Sequence, residues 1–252
     1  MKIVRFTTGE KTGYGVLEKQ SIKVIQGSIF RSLRYSGVSV RLKDVKLLAP
    51  CLPSKIVCLG LNYRSHAAEA KQEVPKAPLL FLKPPTAVIG PEDKINYPEM
   101  SQRVDYEGEL GVVIKKKASH VSEADALDYV LGYTCFNDVT ARDLQSRDGQ
   151  WTRAKGFDTF AAVGPCIETD LDPVNTPVET YLNGELKQKG NTRDLIFSVR
   201  TVISFISQVM TLLPGDVIAT GTPDGIGPMK PGDTVEIKIA PIGTLRNYVI
   251  NK

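Results

Sequence analysis

The sequence predicts an α+β fold that is predominantly β, and three observations carry the prediction. Apolar runs of strand length clearly outnumber helical periodicities along the 252 residues. A single segment, Ser198 to Leu213, holds a sustained helical stripe. Glycine, proline and Asn-Gly turns separate the remaining runs.

Taken in order, residues 1–50 hold short alternating segments around Gly9, Gly13, Gly15 and Gly27, which predict a small β-rich N-terminal subdomain. Pro50 and Pro53 favour an extended connector, so the chain divides into 1–50 and a larger domain over 51–252. Lys55 to Gly60 reads as a strand, Arg64 to Ala70 as a short helix, and Phe81–Leu82 as the end of a strand halted by Pro84-Pro85. Val104 to Ile114 reads as one strand, with Asp105, Glu107 and Glu109 on one face and Val104, Tyr106, Leu110, Val112 and Ile114 on the other. Val121 to Tyr129 resembles a short helix capped by Ser122. Val130 to Phe136 is strand-like and runs into Asn137-Asp138, with a helix expected over Val139 to Gln145. Asn183-Gly184 predicts a type I′ hairpin within Val178 to Gln188. Ser198 caps the main helix, whose apolar face runs from Val199 through Val202, Ile203, Ile206, Val209 and Met210 to Leu213. Two Pro-Gly-Asp turns, at Pro214 and Pro231, lead into the last apolar runs.

Composition narrows the function classes. At 42% hydrophobic and 24% charged, the chain has the make-up of an ordinary globular protein. No apolar run approaches the roughly 20 residues that span a bilayer. The N-terminus lacks a signal peptide's apolar core, so a cytoplasmic location is expected. The cysteines (Cys51, Cys58, Cys135, Cys166) form no C-x-x-C pair, which argues against a zinc knuckle or redox motif. Net charge is +4, from +7 over residues 1–50 (ten basic, three acidic) and −3 over the rest (22 basic, 25 acidic). The basic residues of the first segment form no stripe and no aromatic stacking motif, so nucleic acid is not the expected partner.

Four groups of residues could carry chemistry. Glu107 and Glu109 with Asp138 would suit Mg²⁺ or Mn²⁺, hard cations that prefer oxygen ligands. Like charges side by side on a strand repel, and a cation relieves that repulsion; a solvated edge face and an N-cap role for Asp138 are the competing readings. His66 and Glu69, at i and i+3 of a helix, could form a base and its orienting carboxylate, or an inconsequential surface pair. Lys155, followed by Gly156 in an aromatic-flanked loop, could stabilise an oxyanion or simply be solvated. The Thr- and Gly-rich stretch Ala219 to Gly227 offers donors for a carboxylate or phosphate, but lacks both the P-loop and dinucleotide spacings.

Six segments occur in an order that resembles the fumarylacetoacetate hydrolase family. They are Gly60 to Glu69, Leu80 to Pro85, Asp105 to Leu110, Asn137 to Gln145, Lys155 to Asp158, and Thr220 to Pro223. The resemblance runs from about Pro53 to the C-terminus. It implies a mixed β-roll with few helices and a homodimer. It implies Glu107, Glu109 and Asp138 as Mg²⁺ or Mn²⁺ ligands, and His66, Glu69 and Lys155 as catalytic residues, the first two on a lid. It also implies that Arg142, Gln145 and Thr222 hold the substrate's carboxylate or oxo groups.

The activity implied is enolate chemistry on a small 2-oxo acid, first of all C–C hydrolysis of an acylpyruvate. Decarboxylation or isomerisation, of oxaloacetate or of a 2-hydroxyhepta-2,4-diene-1,7-dioate, is the alternative within the class. A non-catalytic protein that binds metal or a small acid is the alternative outside it, and the presence of His66 with Glu69 speaks against that.

Overall fold

The computed structural model describes residues 1–251, and its architecture is β-dominated α+β. Its strands form sheets of twelve, five and three. The path of the large sheet runs from the edge strand Tyr35–Arg41 to the edge strand Leu79–Lys83, so it stays open instead of closing into a barrel. At its middle, Gly108–Ile114 lies antiparallel to both Val130–Asp138 and Val217–Ala219. Ile56–Gly60 runs parallel to Val217–Ala219, and Leu79–Lys83 completes that side antiparallel.

Every residue of Gly108–Ile114 is buried. Leu110, Val112 and Ile114 enter one apolar cluster and Val113 the other, as period-two alternation requires of a strand covered on both faces. Each such side chain contributes about 1.5–3 kcal/mol by leaving water. That burial holds the ends of the central strands, where the charged groups sit, in fixed register.

The first 50 residues hold five strands, all of them in the twelve-stranded sheet. Lys2–Thr7 pairs with Ala161–Glu168 and so joins the N-terminal strands to the large sheet. The hairpin at Asn183-Gly184 forms as read, with φ of 53° and 80° at its two turn residues. It packs into the five-stranded sheet beside Thr234–Ile239 and Gly243–Asn251.

Four local expectations change. The strand expected over Val104 to Ile114 is two strands, Val104–Tyr106 and Gly108–Ile114, because the first pairs in the three-stranded sheet with Thr140–Ala141 and Gly227–Met229. That pairing of Thr140–Ala141 delays the next helix, which spans Arg142–Asp148, so Asp138 is not its cap. The helix expected over Val121 to Tyr129 is reduced to a 3₁₀ turn at Ala126–Tyr129, and Ser122 Oγ accepts from the Asp125 N–H at 3.2 Å just before it. The main helix spans Val199–Val209, capped by Ser198 as expected. It stops there because Leu212 exchanges backbone hydrogen bonds with Ala118, which buries Leu212 and leaves Leu213 41% exposed.

Candidate active site

Antiparallel register decides where the acidic groups meet. Gly108 faces Asn137 and Glu109 faces Phe136, and the Asp138 N–H donates to the Glu107 carbonyl at 2.9 Å. Glu107 and Asp138 therefore flank one end of the ladder, with Glu109 further in. One oxygen from each of the three carboxylates lies within 4.8 Å of the others, and all three residues are buried.

Two buried lysines enter this cluster. Lys155 Nζ donates to Glu107 Oε2 at 2.9 Å and to Asp138 Oδ2 at 2.7 Å. It is not a solvated loop lysine: it ends the short helix Thr152–Lys155 and is 2% exposed. Lys83, at the end of the edge strand, donates to Asp138 Oδ1 and, at 3.0 Å, to the Val139 carbonyl. Arg142 donates to Glu107 Oε1, to Asp105 Oδ2 at 2.9 Å and to Gln145 Oε1 at 2.5 Å. Glu109 differs from its neighbours: it has no ion pair among the described residues, and Gly221 N–H donates to its Oε2 at 2.7 Å.

The electrostatics follow from these contacts. Burial alone would raise Glu107, but Lys155 and Arg142 outweigh it and hold the carboxyl well below the usual range. Burial pushes Glu109 well above that range, and the neighbouring Asp138 and Glu107 push the same way. Burial lowers the Lys83 ammonium despite Asp138. For Lys155 burial also lowers, but Asp138 and Glu107 prevail and its pKa is raised.

His66 Nδ1 lies 3.1 Å from Glu69 Oε2 on the helix Arg64–Glu69, and Glu69 Oε1 accepts from the Gly225 N–H at 3.0 Å. A cavity of about 300 Å³ opens beside these groups, with His66, Glu107, Arg142, Gln145, Lys155 and Thr222 in its wall. Glu69, Glu109 and Asp138 are not part of that wall. The Thr222 hydroxyl donates to the Gly108 carbonyl at 2.9 Å and accepts from Gln188 Nε2 at 2.8 Å, so its proton is already committed.

The structure also brings in residues that sequence reading left without a role. Lys83 lay within a motif, and a lysine closing an apolar strand was its only signal. Asp105 is fully buried and accepts from Arg103 and Arg142, so it anchors the guanidinium that reaches Glu107. Gln188 fixes Gly108, accepting from its N–H at 2.9 Å, and nothing in its local sequence marks that contact.

The donor set tests whether a metal fits. Three buried carboxylates and no imidazole or thiol suit a hard divalent cation, and Glu109 is a buried carboxylate whose charge no protein cation balances. The cluster could thus hold a metal ion.

An open mixed sheet carrying an acidic cluster beside a polar cavity agrees with the sequence's resemblance to fumarylacetoacetate hydrolases. The chain belongs to that family: the model described as fumarylacetoacetate (FAA) hydrolase C-terminal matches residues 55–250, and the one described as Rv2993c-like, N-terminal matches residues 1–50. The oxaloacetate tautomerase YisK of Bacillus subtilis is 44% identical over 223 residues, covering 82% of this chain and 74% of the relative. The structure of a 2-hydroxyhepta-2,4-diene-1,7-dioate isomerase from Mycobacterium marinum superposes with a TM-score of 0.94 at 45% identity, covering 100% of this chain and 99% of that one. A maleylpyruvate hydrolase from Sphingobium sp. SYK-6 superposes with a TM-score of 0.83 at 32% identity, covering 100% of both chains.

Proposed function

We propose that this enzyme transfers a proton through the enolate of a small 2-oxo dicarboxylate, interconverting keto and enol or isomeric forms, with Mg²⁺ or Mn²⁺ held by Glu107, Glu109 and Asp138. The observation that carries the reading is charge balance. Asp105, Glu107, Glu109 and Asp138 contribute four negative charges when ionised; Arg142, Lys83 and Lys155 supply three positive ones inside the site, and the half-exposed Arg103 pairs with Asp105 at its edge. A divalent cation leaves the site with excess positive charge, which an anionic substrate neutralises. Uncompensated charge in a buried site is costly.

When bound, the cation supplies Lewis-acid stabilisation of the enolate's charge. The chain's own groups do the rest. Arg142, anchored by Asp105, and Gln145 orient the substrate's carboxylate. His66, oriented through Nδ1 by Glu69, leaves Nε2 to take the proton from C3. Lys155 stands beside the 2-oxo oxygen, where the proton is returned to give the enol, so no water or co-reactant is consumed. The name of the Bacillus subtilis relative supports this reading, as does that of the Mycobacterium marinum one.

One observation favours a second reading, C–C hydrolysis of an acylpyruvate. The His66–Glu69 pair is equally a base able to activate water against a 4-carbonyl. A panel of oxaloacetate, acetylpyruvate and a 2-hydroxydienedioate with Mg²⁺ or Mn²⁺ separates the two. Enolisation of the dicarboxylates without cleavage is expected, and pyruvate release from acetylpyruvate as the faster reaction would replace the first reading by the second. A homodimer belongs to the same proposal, supported by the exposed Leu79 and Leu82 on the open edge strand, each 45% exposed.

A further inference from the structure

We infer that Trp151 is the specificity-determining wall of this cavity, limiting the tail a substrate can carry beyond its 2-oxo acid head. The inference rests on the proposed function, which identifies that head.

Trp151 lines the cavity with Phe81 and immediately precedes the helix that carries Lys155. Its carbonyl accepts from the Lys155 N–H at 2.9 Å, so the indole and the ammonium sit one helical turn apart. Lys155 Nζ lies 4.9 Å from the Phe81 ring centroid, and Phe81 meets the indole edge-on, with centroids 5.2 Å apart and planes at 73°. The acidic cluster thus leads through Lys155 and Phe81 to Trp151.

The ring also packs against the Gly60 backbone on the strand paired with that of Phe81, where an added Cβ would fall 2.9 Å from both Cζ3 and Cη2. Phe81 and Gly60 thus seat the ring on one face of the sheet, at the separation of ordinary aromatic packing. Both contacts are apolar, so the wall presents bulk and no charge to a tail. The cavity measures about 300 Å³ and is bounded beside Phe81 by the indole, so a tail that extends past Lys155 in that direction meets the ring. An aryl tail needs room that the indole occupies.

Oxalate and N-phenyloxamate both present a carboxylate beside a second carbonyl oxygen and differ in charge and by a phenyl tail, so the change in their affinity ratio between intact and variant enzyme, read by calorimetry in the presence of MgCl₂, tests the wall without turnover. The intact enzyme should prefer oxalate. Trp151→Ala should improve N-phenyloxamate relative to oxalate by about tenfold or more, the scale at which a filled apolar pocket discriminates. Trp151→Phe should lie between. Gly60→Ala, whose Cβ would meet the ring at 2.9 Å, should displace the indole and change the ratio as well. Trp151 is also the single tryptophan of the chain, so oxalate with MgCl₂ should change its fluorescence saturably. Oxalate that binds by calorimetry with an unchanged ratio in Trp151→Ala and silent fluorescence would overturn the assignment of Trp151 alone. Failure of oxalate to bind the intact enzyme with MgCl₂ would overturn the proposed function and this inference with it.

Discussion

Lys155 Nζ lies 2.7 Å from Asp138 Oδ2, and the same ammonium reaches Glu107, so one protein cation bridges two members of the acidic cluster while Glu109 has none. This asymmetry leaves Glu109 as the member of the cluster whose charge only a bound cation would pair.

Glu109→Gln should therefore abolish turnover without weakening the metal-free protein. An uncompensated buried carboxylate costs free energy, and the amide removes its charge. Differential scanning fluorimetry checks this: the metal-free midpoint should hold or rise, and the upward shift given by Mn²⁺ to the unmodified enzyme should vanish.

Lys83→Met should behave in the opposite way. Lys83 is buried, and removing its ammonium leaves Asp138 with one fewer counter-ion and frees the Val139 carbonyl. Breaking a buried pair from one side costs about 3–5 kcal/mol. Urea unfolding of the metal-free protein measures it, and a loss below about 1 kcal/mol would remove Lys83 from the account.

His66→Ala should lower tautomerisation or hydrolysis by about 10²–10⁴-fold, the usual contribution of a positioned base. Decarboxylation of oxaloacetate, which needs no abstracted C3 proton, should be spared. Equal loss of both rates would show that His66 acts more broadly, for example by keeping its helix closed over the cavity.

Acid stability should depend on Asp216, far from the cavity wall. Its carboxylate accepts from Ser54, from Lys55 Nζ at 2.5 Å and from the Leu213 N–H at 2.8 Å. Burial alone would raise its pKa, but the Lys55 and Ser54 hydrogen bonds outweigh it and hold it below the ordinary 3.8. A depressed carboxyl stabilises the fold fully above its unfolded value and loses that contribution as pH falls through the folded one. Melting curves should show this loss below about pH 3.8. Asp216→Asn should cost about 1–3 kcal/mol at neutral pH and flatten that part of the acid limb.

Much of this was legible in the sequence where short-range chemistry decides. Asn183-Gly184 specifies its own turn, and Ser198 accepts from Thr201 N–H three residues on. The acidic residues were legible as a group because strand ends and motif order locate them. Partners distant along the chain were not. Lys83 and Asp138 are 55 residues apart, and Gly108 and Gln188 are 80 apart. Their meeting depends on which strands neighbour one another. The same cause split the strand at Glu107 and displaced the helix expected after Asp138: pairing of Val104–Tyr106 with Thr140–Ala141 overrides the local pattern of both segments.

The central claim is that the chain enolises a 2-oxo dicarboxylate at a metal held by Glu107, Glu109 and Asp138. The most direct measurement is proton NMR of hydrogen–deuterium exchange at C3 of oxaloacetate in D₂O. With Mg²⁺ the enzyme should exchange these protons well above the spontaneous rate, and both EDTA and Glu109→Gln should return exchange to that rate. Exchange no faster than the spontaneous rate, or exchange that survives EDTA undiminished, would contradict it.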